Sequence, residues 1–226
     1  MTPARSPVFF VAVAATLLAS ATLLIAADAK PVSLFDGKTL TGWVSGNGKP
    51  PTAGWVVEDG TLHRAAKGGD LFSEKEYGDF EFAFEWKIDK AANSGVKYRV
   101  KQFTPGGTLG VEYQLIDDAA HPDGKKGTHQ TACIYDIKET VENKPVKAVG
   151  DWNASKIVVK QGKFEHWLNG TKVSEIDTAS DEWKERIAKS KFKNVQGFGL
   201  NAKGKIMLQD HGDKVWFRNL SITELN

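Results

Sequence analysis

The stretch Phe80–Ile88 constrains the fold most. Phe80, Phe82, Phe84, Trp86 and Ile88 alternate without a break with Glu81, Ala83, Glu85 and Lys87. A period of two puts every apolar side chain on one face of an extended strand, which a helix of period 3.6 cannot do. The pattern recurs: Val96, Tyr98 and Val100 alternate with Lys97, Arg99 and Lys101, and Val111, Tyr113 and Leu115 with Glu112 and Gln114. Ile206 and Leu208 alternate with Met207, Gln209 and His211, while Ile157–Val159, Phe164–Leu168 and Val215–Ile222 supply further strands. Gln161-Gly162 and Asn169-Gly170 are hairpin turns, the second of the strongest type. Only Ser180–Lys191 reads as a helix, with an N-cap serine, acids in the first turn and bases in the last. Half-buried strands with a single short helix predict an all-β fold, a two-sheet antiparallel β-sandwich.

Lys plus Arg (30) nearly balances Asp plus Glu (28), so net charge gives no reason to expect a nucleic-acid partner. A single cysteine, Cys133, excludes an intrachain disulfide framework and reads as a small buried hydrophobe. Arg5, the apolar run Val8–Ala27 and the A-x-A pattern Ala27-Asp28-Ala29 predict an export signal over residues 1–29. The mature chain then starts at Lys30, is periplasmic or extracellular, and forms one domain over residues 30–226 without a membrane partner. An uncleaved anchor is the competing reading of the same run. The sequence leaves the oligomeric state open.

Seven segments, in order, go beyond generic strand pattern: LFDGKTLTGW, GGDLFSEKEYGDFEFAFEWKI, NSGVKYRV, GVEYQLIDD, GDWN, HWLNGTKV and LQDHGDKVWFRNLSI. Together the chain resembles the 3-keto-disaccharide hydrolase domain family over residues 33–223. The resemblance implies a secreted, concanavalin-A-like glucanase-type jelly roll acting on glucosides oxidised to a ketone at C3. Another enzyme would supply that ketone.

The polar residues in the alternate register are the candidate site. They are Lys97 with Arg99, Glu112 with Gln114, and Gln209 with His211, with Asp117 at a strand end. Glu112, Gln114 and Asp117 share the spacing of the E-x-D-x-x-E strand of laminarinase-type glucanases, but Gln114 replaces the middle acid. That substitution speaks against a plain two-carboxylate mechanism. A C3 ketone acidifies the C2 hydrogen, so a base there can drive β-elimination of the C1 substituent, and water addition completes a net hydrolysis. Such a site needs a base, a cation or donor for the enolate oxygen, and an acid for the leaving oxygen. Glu112, His211 and Arg99 are the expected catalytic residues. Lys97, Gln114, Asp117, Gln209 and Trp152 are the expected substrate contacts. His121 and His129 flank a loop that would rim a cleft. No metal-ligand motif and no phosphate or dinucleotide loop occurs, so no cofactor is expected, with a structural calcium left open. The rival reading is a non-catalytic carbohydrate-binding sandwich.

Overall fold

The computed structural model describes Met1 and residues 30–225. The export signal expected over residues 1–29 lies, apart from Met1, outside the described residues.

Among the described residues, thirteen strands and one α-helix follow in order: β1 (Val32–Ser33), β2 (Trp43–Val44), β3 (Trp55–Glu58), β4 (Thr61–Arg64), β5 (Leu71–Tyr77), β6 (Phe80–Ile88), β7 (Asn93–Phe103), β8 (Gly107–Ile116), β9 (Asn153–Lys160), β10 (Lys163–Leu168), β11 (Thr171–Asp177), α1 (Asp181–Lys189), β12 (Gly204–Leu208) and β13 (Val215–Glu224), with two short 3-10 turns at Pro122–Lys125 and Gly127–His129. All strand pairs are antiparallel. The large sheet runs β11-β10-β9-β6-β13-β4-β3, with β1 on β13; the small sheet runs β2-β5-β12-β7-β8.

The alternation of β6 becomes the core. Its five apolar side chains are buried and meet Val96, Tyr98, Val111, Tyr113, Leu115, Ile206 and Leu208 of the small sheet. Aromatic edges lock the layers: Phe84 meets Tyr113 at 5.5 Å and Tyr98 meets Phe164 at 5.4 Å, both nearly perpendicular. His166 sits fully buried between these tyrosines, its Nε2 3.1 Å from the Tyr98 hydroxyl and its Nδ1 3.0 Å from the Ala132 carbonyl. Burial drives its pKa down to about 4. It is a neutral core residue.

Both predicted hairpin turns form, with positive φ at Gln161 and Gly162 and at Asn169 and Gly170, as type I′ turns require. The helix is one residue in from the predicted start. The Ser180 hydroxyl accepts the Trp183 N–H at 3.1 Å as N-cap, and Trp183 packs edge-on to Phe164. Cys133 is wholly buried, donates to the Thr128 carbonyl, and burial holds its thiol well above its ordinary range.

Candidate active site on the outer face of the small sheet

Strand register builds the site. Glu112 on β8 lies opposite Lys97 on β7, and Lys97 opposite Met207 on β12. Directly opposed residues share a face, so these three point outward together, away from the core row Leu208–Val96–Tyr113. Beyond β8 the chain returns as an extended segment: Tyr113 bridges Ile134, and the Tyr135 N–H donates to the Glu112 carbonyl at 3.0 Å. Tyr135 thereby becomes the next residue in the row. A neighbouring row carries Gly95 opposite Gln114, with the Gln209 N–H bonded to the Gly95 carbonyl.

Glu112 is almost wholly buried, and the Lys97 ammonium at 3.5 Å is the one side chain bonded or paired to it among the described residues. The lack of a side chain at Gly95 makes room for it, since a Cβ there would come within 2.5 Å of Glu112 Oε1. A carboxylate with so few partners keeps lone pairs free for a ligand. Tyr135 is the opposite. Burial, then the charges of Asp123, Glu112 and Asp136, push its hydroxyl far above the ordinary range, so it stays protonated. The Lys191 ammonium lies 4.2 Å from the Tyr135 ring centroid. Its pKa is lowered by burial; Glu112 opposes this and Lys97 adds to it, which places all three charges in one electrostatic neighbourhood.

The loop before Tyr135 braces it. His129 stacks on the Tyr135 ring at 4.4 Å, and its Nε2 is 3.0 Å from Asp136 Oδ1. Lys126 also pairs with Asp136. Burial would raise the Asp136 carboxyl, but Lys126, the Lys191 backbone N–H and His129 outweigh it and hold the pKa at about 2. Asp136 is therefore a fixed anion that ties the Lys126 loop to the Lys191 segment. Among the described residues no three His, Cys, Asp or Glu side chains converge to hold a metal ion.

Of the residues expected from sequence, Lys97, Glu112, Gln114 and Gln209 come together on this face. The Gln209 Oε1 is buried without a hydrogen-bond partner, an acceptor left for a ligand. Three others lie elsewhere, and a fourth, His211, stands at the edge of this face, where it and Lys97 both act on Asp70. Arg99 breaks register: a β-bulge between Tyr98 and Lys101 puts Arg99 at φ 50°. Its guanidinium turns between the sheets to Asp79 at 3.0 Å and over Phe164, so it cannot reach an enolate on the outer face. Asp117 follows the end of β8. Burial alone would raise its pKa, but the backbone N–H groups of Ala91, Ala120 and Ala119 bind its carboxylate and lower it. It shapes a turn, beside a cavity of roughly 300 Å³ between Ile116, Trp86 and Val149. Trp152 belongs to the outer face of the other sheet, where Arg218 lies 4.1 Å from its ring centroid. His211 is exposed beyond β12, because the chain turns at Asp210, whose carboxylate binds the Gly68 and Gly69 N–H groups and Arg64. It remains within electrostatic reach of Asp70, whose carboxyl burial raises.

Tyr135, Lys191 and Asp70 were not expected from the sequence. None sits in an alternating strand. The only trace was the extended QTACIYD run, where Ile134 inward implies Tyr135 outward.

An antiparallel sandwich with a sparsely partnered carboxylate, two amines and a protonated tyrosine on one sheet face has the frame of a hydrolase-like enzyme on a glucanase-type jelly roll. The chain belongs to the 3-keto-α-glucoside-1,2-lyase-like domain family, whose model matches residues 30–223. It is 33% identical to a 3-keto-disaccharide hydrolase of Bacteroides thetaiotaomicron, over 86% of this chain and 78% of that one. A crystal structure described as a glycosyl hydrolase of Parabacteroides distasonis superposes with a TM-score of 0.79 at 36% identity, covering 87% of this chain and 94% of that one. The Bacillus licheniformis β-glucanase shares the fold alone, with a TM-score of 0.52 at 12% identity over 88% and 99% of the two chains.

Proposed function

We propose that the protein cleaves 3-keto-glucosides by eliminating the C1 substituent, with water re-addition giving net hydrolysis. The observation that carries this is the row Lys97–Glu112–Tyr135 with Lys191 above it: one base, two cations and one loaded proton donor on a single face. The family description and the name of the Bacteroides relative support the substrate class.

Glu112 takes the C2 proton, and the C2–H electron pair becomes the enolate on the C3 oxygen. Lys97 and Lys191 meet that negative charge, a term worth orders of magnitude in rate. The enolate collapses, the C1–O bond breaks, and Tyr135 protonates the leaving oxygen; Lys191 then faces the tyrosinate. Water adds to C1 of the enone and gives its proton to the Tyr135 phenolate, while the proton held by Glu112 returns to C2, which restores both residues. Gln114 and Gln209 hold sugar hydroxyls. We further propose that residues 1–29 direct export, so that the enzyme meets a substrate already oxidised by another protein outside the cytoplasm.

Purified protein incubated with a 3-keto-disaccharide and with its unoxidised parent tests the reading. Turnover of the keto sugar alone is expected, with deuterium appearing at C2 of the product in deuterated water. No turnover of the keto sugar, or equal turnover of both, would overturn it.

A further inference from the structure

The row beside Lys97 and Glu112 continues across the small sheet. Gly95 lies opposite Gln114, the Gln209 N–H reaches the Gly95 carbonyl at 3.0 Å, and Leu208 lies opposite Leu71. Leu71 and Leu208 belong to the core. Successive side chains alternate between faces, so Asp70 and Gln209, the neighbours of these leucines, point outward together. The row therefore runs Gln114–Gly95–Gln209–Asp70. Burial raises the Asp70 carboxyl most, against the Asp210 N–H, Lys97 and His211, while the Asp210 charge raises it further. Lys97 is itself an outward residue, which puts Asp70 on its face. Asp70 and Asp210 are tied together but are not alike. Asp210 commits both oxygens, one to Arg64 and the other to the Gly68 and Gly69 N–H groups. Asp70 accepts a single hydrogen bond among the described residues, from the Asp210 N–H to Oδ1 at 2.8 Å, which leaves Oδ2 free. The neighbouring Gln209 Oε1 is buried without a partner. Two acceptors thus stand side by side, with no donor from the described residues filling them.

The proposed reaction decides which end of a sugar reaches them. The bare backbone of Gly95 lets the Glu112 carboxylate lean over β7 into this row, while Tyr135 lies on the far side of β8. A leaving oxygen at Tyr135 directs C1 outward past β8. In a pyranose C5 stands across the ring from C2. With C2 at Glu112, C5 and its hydroxymethyl group therefore point the other way, over β12 towards β5. β7 and β5 are two strand spacings apart, about 10 Å, which is the reach of a hexose from C2 to its C6 hydroxyl with a contact at each end. We propose that Asp70 Oδ2 accepts the C6 hydroxyl and Gln209 Oε1 the C4 hydroxyl, so that Asp70 selects hexosides over pentosides. The inference rests on the reading of Glu112 as the group at C2. Acceptors without donors match hydroxyls, and a carboxyl group accepts in either protonation state. A pentoside has no C6 hydroxyl, and losing one hydrogen bond to a charged group corresponds to about 10- to 100-fold.

The full chain is assayed with the 3-keto forms of 4-nitrophenyl α-glucoside and 4-nitrophenyl α-xyloside, which share one leaving group and differ only at C6. The expected kcat/KM is about 10- to 100-fold higher for the glucoside. Asp70→Ala should bring that ratio close to one. Asp70→Asn, which keeps the shape and the bond to the Asp210 N–H, should bring it part of the way. A purely structural role for Asp70 would lower both sugars together and leave the ratio where it was, and that result overturns the proposal. The Glu112→Gln variant, titrated with the same two keto sugars, should show the same preference as binding without turnover. Tighter binding of the glucoside with no cleavage by the native chain supports the subsite and overturns the proposed reaction. Cleavage of both sugars with equal kcat/KM overturns the subsite and leaves the reaction standing. No preference in either assay overturns the subsite as well.

Discussion

On the outer face of the large sheet, outward charges are compensated where they stand. Glu85 binds Arg218 at 2.7 Å and Asn219 at 2.9 Å, Glu81 pairs with Lys156 at 3.0 Å, and Lys87 lies between the rings of Trp152 and Trp216. On the outer face of the small sheet the same alternation leaves charge sparsely partnered. Glu112 is more deeply buried than any of those carboxylates yet touches one lysine at 3.5 Å, and the Gln209 oxygen is buried with no partner. Burying a polar group without partners costs stability. The contrast teaches that a buried charge with few partners, more than polarity as such, separates a binding face from a solvated one.

The sharpest way to break that contrast is to make the same change on both faces. Glu112→Gln keeps the shape and removes the base, and turnover of a 3-keto-glucoside should fall by about 10³-fold with the fold intact by circular dichroism. Glu85→Gln, on the compensated face, should leave kcat within about two-fold. Equal losses in the two variants would sink the distinction. Burial alone would mislead here, since Arg99 is as buried as Glu112 and serves the sandwich rather than the face.

That distinction also marks how far the sequence could be read. Period-two alternation placed Lys97, Glu112 and Gln114 outward because nothing interrupts register between Val96 and Tyr98 or between Val111 and Leu115. It failed two residues later, at Arg99. A bulge inserts one residue, and a non-glycine residue at positive φ carries no composition signal that announces it. The two sheets are equally legible as strands, but periodicity cannot say which sheet a loop joins, so the polar neighbours Asp151 and Asn153 suggest a sugar contact for Trp152 without saying that its ring lies on the large sheet. Tyr135 and Lys191 were illegible for another reason: they reach the face from segments outside the thirteen strands, ordered by Asp136 and by single bridges to β8.

The interior offers a second comparison, between a polar residue satisfied in the core and those left open on the face. His166 is held neutral by burial, its pKa lowered from 6.5 to about 4. In the unfolded chain it takes a proton near pH 6.5, so between 6.5 and 4 the unfolded state binds the extra proton. Its contribution to stability is full above pH 6.5 and is lost as pH falls through that window, on the order of 3 kcal/mol at most. His166→Gln can keep bonds to Tyr98 and Ala132 without that titration. Denaturant unfolding from pH 7 to 4.5 should therefore fall about 2–3 kcal/mol more steeply for the native protein than for the variant. Parallel curves would show that His166 binds its proton equally in both states.

The smallest effect is expected where the sequence placed a sugar contact and the structure a brace. Trp152 presents its ring to Lys87 at 5.2 Å and to Arg218 at 4.1 Å on the large sheet. Two cations already use its π-surface, and Arg218 is also held by Glu85. Trp152→Ala should cost about 0.5–1 kcal/mol in stability, the worth of exposed cation–π contacts. The KM for a 3-keto-glucoside should not move. A rise in KM with unchanged stability would mean that substrate reaches the large sheet, and the two faces would then share the work that the sparsely partnered charges assign to one.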